Sequence, residues 1–317
     1  MSDDSTFGTS AYGGPGWSPR IRSLAQEVGS VWGHCGIDSE WRRLTAVVLH
    51  RPGPELAASS DPDAVQMLAP LDVDRAGAEH DALADAFRAE GVAVHLVVPP
   101  ETPPPNQMFC ADLMLATPQG VVLARPASTV RAGEERWLAL RLAALGVPIV
   151  RSIAGTGVFE GADAAWLDPR TVVVGRGHRT NDAAITQITQ TLATDGVDCL
   201  VVDMPYGTMH LMGMLRIVDH DLAIAWPRRT PHALVIALRE RGHEVAFLPE
   251  GTDREMNRAM NFVTLAPRRI LLEAGYDRYQ RFYEALGITC VTVEARELIK
   301  AAGGFGCLTG VLERERA

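Results

Sequence analysis

Four side chains that can do chemistry stand at matching places in the sequence. They are Asp112 in "FCAD", Glu160 in "FEGAD", His210 in "TMHLMG" and Cys307 in "GFGCLTG". Each stands just ahead of an apolar run that reads as a strand. They fall about 50 residues apart, the last interval being about two periods, with "NRAMN" (Asn257 to Asn261) in the skipped place. A thiol attacks only as its thiolate, so a cation must lower its pKa. Two neighbouring carboxylates likewise need a cation to offset their repulsion. A planar guanidinium substrate meets both demands, because paired carboxylates bind its N–H groups bidentately. On this reading Cys307 attacks the central carbon, His210 protonates the departing nitrogen and a thiouronium adduct forms, which water activated by His210 then releases. Acid–base help of this kind is worth about 10² to 10⁴ in rate. Glycines around Cys307 let a substrate come close to the backbone. Singly, each residue has a plainer explanation: a buried cysteine as packing, a structural histidine, acids as turn or cap residues. Their shared period favours a joint role.

The elements that must carry these residues repeat as well. From Asp112 the text "DLMLATPQGVVLARP" predicts strand, tight turn and strand; "GEERWLALRLAALG" predicts a helix and "VPIVRSI" a further strand. The same order recurs from "DAAWLDPRTVVVGRG", from "LMGMLRIVDHDLAIAWP" and from "MNFVTLAPRRILLEAG". Turns at "TPQG", "LDPRT", "VDHD" and "LAPRR" carry the Pro, Asp and Gly that tight turns favour. Residues 43–98 give strand, helix and strand but lack one strand, which the tail "GCLTGVLERE" can supply. The expected fold is therefore α/β: five pseudosymmetric ββαβ modules in a closed ring, which removes exposed sheet edges. Equivalent positions on successive modules would then point at one axis.

The chain has 317 residues, 47% of them apolar, and a formal charge of −9 with pI near 5.5. That balance argues against nucleic acid as a partner, since a grip on phosphates needs a clustered basic face. No apolar run reaches the roughly 18 residues that span a bilayer, and the start carries no cationic and hydrophobic signal pattern. A cytoplasmic protein is expected, with a flexible N-terminal tail over residues 1–40 and a single catalytic domain over 41–317. The five cysteines are odd in number and widely spaced, which predicts reduced thiols and neither disulfides nor a metal site. His34 beside Cys35 lacks further ligands. "GTGVFEG" has loop glycines without the spacing or following helix of a dinucleotide fingerprint, and no cofactor is implied.

From about Trp41 onward the sequence resembles the guanidino-group-modifying enzymes of the pentein fold. The resemblance is carried by "LHRPGPEL", "FCADLMLATPQGVVLARPAS", "GVFEGADAAWLDPRTVVVGRGHRTN", "TMHLMGMLRIVD" and "KAAGGFGCLTG", and is nearest to the arginine dihydrolase branch, whose members turn arginine into ornithine, ammonia and carbon dioxide. It implies an α/β propeller, Cys307 as nucleophile, His210 as acid and base, and Glu160 with Asp112 as guanidinium ligands. It further implies that Asn106 lets a ureido product be attacked again and that Arg179 grips a substrate carboxylate. Asp163 is carried as a substrate-binding candidate, its counterpart in relatives bracing the loop behind the ligand Glu. Two departures stand out. Met212 occupies the place where arginine deiminases carry an Asp, and Ala111 stands where many relatives have Arg before the Asp. Three readings follow: a hydrolase of arginine or a close derivative, an amidinotransferase using an amine acceptor, and a noncatalytic pentein. The partner is a small arginine-like guanidino molecule, and self-association is left open.

Overall fold

The computed structural model describes residues 6–316. Its strands form five separate three-stranded sheets. The first in chain order holds β1 (Leu44–Leu49) and β2 (Ala93–Leu96); the second, β3 (Met114–Thr117), β4 (Gly120–Leu123) and β5 (Ile149–Ser152). The third holds β6 (Ala164–Asp168), β7 (Thr171–Arg176) and β8 (Asp198–Asp203). The fourth holds β9 (Leu215–Asp219), β10 (Leu222–Ala225) and β11 (Glu244–Phe247), and the fifth β12 (Val263–Ala266), β13 (Arg269–Glu273) and β14 (Thr289–Val293). The last strand, β15 (Gly310–Arg314), returns to the first sheet and pairs antiparallel with β1. The chain's two ends thus build one module, as expected from the strand that residues 43–98 lack.

Within each sheet an antiparallel pair is followed by a parallel strand. A parallel neighbour needs a crossover, and a helix supplies it in every module: Val73–Ala89, Glu134–Ala144, Asp182–Ala193, His232–Glu240 and Asp277–Ala285. Asp72 and Asn181 cap the first and third of these through the Arg75 and Ala184 amides. The β3–β4 hairpin turns through Pro118 and Gln119 to Gly120, whose φ of +141° and approach to the Pro148 carbonyl exclude a side chain. The central strands β4 and β10 are buried from end to end and β7 up to Arg176, because helices cover one face and neighbouring modules the other.

The segment read as a tail divides in two. Tyr12, Trp17 and Ile21 are exposed, whereas Cys35, Ile37, Asp38 and Ser39 are buried. Gly36 exchanges backbone hydrogen bonds with Leu312 and Arg314, and Glu40 accepts from the Trp166 amide. Packed chain therefore begins a few residues before the expected boundary at residue 40, because it runs along β15. All five cysteines are free, and among the described residues no helix is long and apolar enough to cross a membrane.

Candidate active site

Three of the five modules enter their first strand through a tight turn. The turns are Cys110–Leu113 before β3, Gly161–Asp163 before β6 and Leu211–Gly213 before β9, with Glu160 and His210 the extended residues that open the last two. These turns touch in series, and the short helix Phe305–Leu308 before β15 touches the first. Gly161 permits the approach. A Cβ there would lie 2.0 Å from the Met114 carbonyl oxygen and 2.4 Å from that of Ala111.

Asp112, Glu160 and His210 meet as one buried group. His210 Nε2 lies 2.6 Å from Glu160 Oε2, and its Nδ1 is 3.8 Å from Asp112 Oδ1. Burial opposes charge on the imidazole, but Asp112, Glu160 and Asp163 outweigh it and push its pKa up to about 9. Burial likewise favours neutral Glu160, yet His210, Arg131 and Arg179 hold it well below the usual carboxylate range. Arg131, in "STVRAGEE", is the organiser that inspection of the sequence missed. Its Nη1 donates to Asp112 Oδ2 at 2.7 Å and to Glu160 Oε2 at 3.1 Å, while Nε and Nη2 bind Glu134. Arg179 Nη1 lies 3.2 Å from both oxygens of Glu160. A signal for Arg131 was present: it follows Asp112 by the same interval as Arg179 follows Glu160. Asp112 Oδ1 is buried without a hydrogen-bond partner, an acceptor open to a ligand's N–H.

Cys307 is 8% exposed and sits in the Phe305–Leu308 helix. Asn261 grips it twice: Asn261 Nδ2 donates to Sγ at 3.1 Å, and Oδ1 accepts from the Cys307 amide at 3.1 Å. Burial and Asp112 push the thiol's pKa up, partly offset by the Gly304 backbone, Asn261 and Arg216. The sulfur borders two cavities that also share Met209 and Ala302. One is lined by Asn106, Phe109, Asp112, Arg131 and Arg179. The other is lined by His210, Met212, Trp226, Arg229 and Asn257. Cys307, His210, Asp112, Asn106 and Arg179 therefore line two adjoining cavities that meet at the sulfur-bearing residue, and buried Glu160 bonds to His210 and Arg179 behind them. Asn106 also donates to the Val65 carbonyl at 2.8 Å.

Asp163 departs from its expected place as a substrate ligand. Its Oδ2 accepts from Thr180 Oγ1 at 2.7 Å and its Oδ1 from the Leu211 amide at 3.1 Å, so both oxygens are engaged in bracing the turn that carries His210. Burial raises its pKa to about 6, against those two bonds and the charge of His210. Asp112, Glu160 and His210 are also spaced as metal ligands can be. The direct His210–Glu160 hydrogen bond and the ion pairs of Arg131 with both acids already engage several of those donor atoms.

Comparison with known proteins places this geometry. Residues 70–308 match the family model described as N,N-dimethylarginine dimethylhydrolase, eukaryotic. An N(G),N(G)-dimethylarginine dimethylaminohydrolase from Pseudomonas aeruginosa is 24% identical over 73% of this chain and 86% of its own length. Among solved structures, the substrate-bound N-terminal domain of a cyanobacterial arginine dihydrolase matches 83% of this chain and 96% of that domain, with TM-score 0.71 and 18% identity. An inosamine-phosphate amidinotransferase from Streptomyces griseus matches 90% of this chain and 98% of that one, with TM-score 0.70 and 16% identity. These structural likenesses speak for the fold, whereas the family model spans well over half the sequence. The chain therefore belongs to the dimethylarginine dimethylhydrolase family, among the pentein enzymes that act on guanidino groups.

Proposed function

We propose that the protein hydrolyses the guanidino group of L-arginine or a close derivative through a covalent adduct on Cys307. The observation that carries this reading is the meeting of Cys307 with Asp112 in one cavity and with His210 in the adjoining one. Charge supports it too. Four acids, Asp112, Glu134, Glu160 and Asp163, face two guanidinium groups, Arg131 and Arg179, and an imidazolium at His210; burial pushes the pKa of Glu134 up to about 7 and that of Asp163 up to about 6, so the set stays close to neutral. A substrate cation entering this set is balanced by loss of the Cys307 proton, so binding itself favours the thiolate that burial opposes.

In the forward reaction, substrate N–H groups bind Asp112 and, in exchange for its Arg179 contact, Glu160, and the sulfur adds to the central carbon. Imidazolium His210 gives its proton to the departing nitrogen, which leaves as ammonia or an alkylamine, and a thiouronium adduct remains. Neutral His210 then takes a proton from water, hydroxide adds to the same carbon and the C–S bond breaks. A ureido product leaves, citrulline when arginine enters. A second round on that product, with Asn106 beside it, gives ornithine, ammonia and carbon dioxide. Arg179, on the rim of the cavity, suits a substrate carboxylate. In this reading the five modules close into a ring, supported by contacts of β15 with β3 and of β12 with both β1 and β9. The catalytic domain spans residues 41–317, and five free thiols suit a reducing, cytoplasmic setting.

An amidinotransferase is the second reading, favoured by the second cavity beside Cys307, where an acceptor amine can lie. Incubation with arginine, methylated arginines and agmatine, with and without amine acceptors, separates the outcomes when citrulline, ornithine, ammonia, alkylamine and guanidino products are followed. Turnover by Cys307→Ser would reject the nucleophile, and no product from any of these guanidines would reject the enzyme.

A further inference from the structure

Alongside the Cys307 helix, adjoining the His210 cavity at Met212, lies a further cavity whose lining includes Glu40, Arg216, Thr264, Gly306 and Arg314, set among apolar side chains of β6, β9, β12 and β15. Arg216 reaches into it from β9. Its guanidinium lies 5.1 Å from the centre of the Phe262 ring and so close to the Cys307 helix that a Cβ on Gly306 would be 2.8 Å from Nη2. Arg216 is part-exposed and lines the cavity. Among the described residues no hydrogen bond or ion pair joins it, and its buried Nε–H has no partner. Arg314, 3% exposed, donates to the carbonyls of Arg42 and Thr264, both neutral acceptors, and its buried Nε–H is also unpartnered. Burial pushes the pKa of both arginines down, Arg314 to about 10. The one carboxylate in the lining, Glu40, accepts from the Trp166 amide and forms no ion pair with either arginine.

One buried and one part-exposed guanidinium against one carboxylate leave one formal positive charge and unused N–H donors around this cavity. Such an arrangement is costly unless an anion answers it. We propose that this cavity is a binding site for a small monovalent anion of halide size, held by Arg216 and by the Nε–H of Arg314. The single surplus charge sets the valence, and the apolar remainder of the lining, Leu215, Ile217 and Val263 included, suits a weakly hydrated ion over phosphate. The site is distinct from the one bordered by Asp112 and His210, but it is not electrically silent. Arg216 is one of the charges that favour the Cys307 thiolate, so an anion resting on it opposes ionisation of the sulfur.

The test is chloride binding by the full chain, read from the excess ³⁵Cl line width at constant ionic strength and competed with bromide. Wild-type protein is expected to broaden the line saturably. Arg216→Met is expected to weaken the binding about 10- to 100-fold, as loss of charge-assisted hydrogen bonds implies, and Arg216→Lys to retain part of it. Equal broadening by wild type and Arg216→Met overturns the proposal. Crystals grown in bromide give a second, variant-free reading: anomalous density between Arg216 and Arg314 supports the site, and water alone there rejects it. Neither measurement depends on turnover, so failure here leaves the guanidino reading untouched.

Discussion

Asn261 is expected to set how readily Cys307 ionises. Its Nδ2–H donates to Sγ and its Oδ1 accepts from the Cys307 amide, each at 3.1 Å, inside a buried site. A hydrogen bond to a charged acceptor contributes about 1.5–3 kcal/mol, and one pKa unit corresponds to about 1.36 kcal/mol. Losing the Nδ2 donor in Asn261→Ala should therefore raise the Cys307 pKa by about 1–2 units. At neutral pH the thiolate fraction falls about 10- to 100-fold, but a more basic thiolate is intrinsically more reactive, so alkylation slows only about 3- to 10-fold. The pH profile of iodoacetamide alkylation reads this directly. The variant's curve should lie below wild type at neutral pH and rise above it at high pH, where both sulfurs are ionised. Asn261→Asp separates the two bonds: it keeps an acceptor for the Cys307 amide, removes the donor and adds negative charge, so its pKa should rise at least as far. The Asn261 carbonyl still accepts from the Gly306 amide in either variant, which holds the helix in place. Profiles that superimpose on wild type would refute the reasoning. A uniform drop at every pH would refute it as well, since that marks a displaced sulfur with its acidity unchanged.

Arg131→Met should cost about 3–5 kcal/mol in chemical unfolding, because it strands Asp112, Glu134 and Glu160 with one cation fewer in a buried site. Arg179→Gln, at a partly exposed side chain with one partner, should cost well under half of that and act mainly on KM. His210 is raised from its unfolded value near 6.5 to about 9, so its ion pairing stabilises the fold fully below about pH 6.5 and is lost as pH climbs through about 9. Urea midpoints should fall across that window in wild type and stay flatter in His210→Asn. Gly161→Ala drives a Cβ against two carbonyl oxygens and should displace Glu160 from His210, lowering kcat/KM about 100-fold or abolishing folding, as activity and near-UV circular dichroism report.

Much of the fold was legible because the signals that define a module are local. Tight turns, apolar strands and helical spacing recur in "LATPQGVVLA" and "AWLDPRTVVVGRG" whatever the rest of the chain does, and β3–β4 and β6–β7 form where they predict. The site was legible only as addresses. Spacing marks the entry to each first strand, but it says nothing of how far a long side chain reaches back. Arg131 therefore escaped notice, although it bridges two of the marked acids. Asp163 was misplaced for the same reason: "EGAD" sets it three residues beyond Glu160, yet only the crossing of Thr180 and the Leu211 amide decides what its oxygens hold.

Asn261 completes the pattern from the place where the sequence offers "NRAMN". It stands just ahead of β12, where the modules entered through β3, β6, β9 and β15 present Asp112, Glu160, His210 and Cys307. Every module thus delivers one polar group at its first-strand entry, and the β12 module delivers a donor to the sulfur and an acceptor for the amide of Cys307 in the β15 module. A neutral amide suits that place better than another acid. A carboxylate beside Cys307 would join Asp112 in opposing the thiolate, whereas an N–H aimed at Sγ favours it without adding charge for a cationic substrate to overcome.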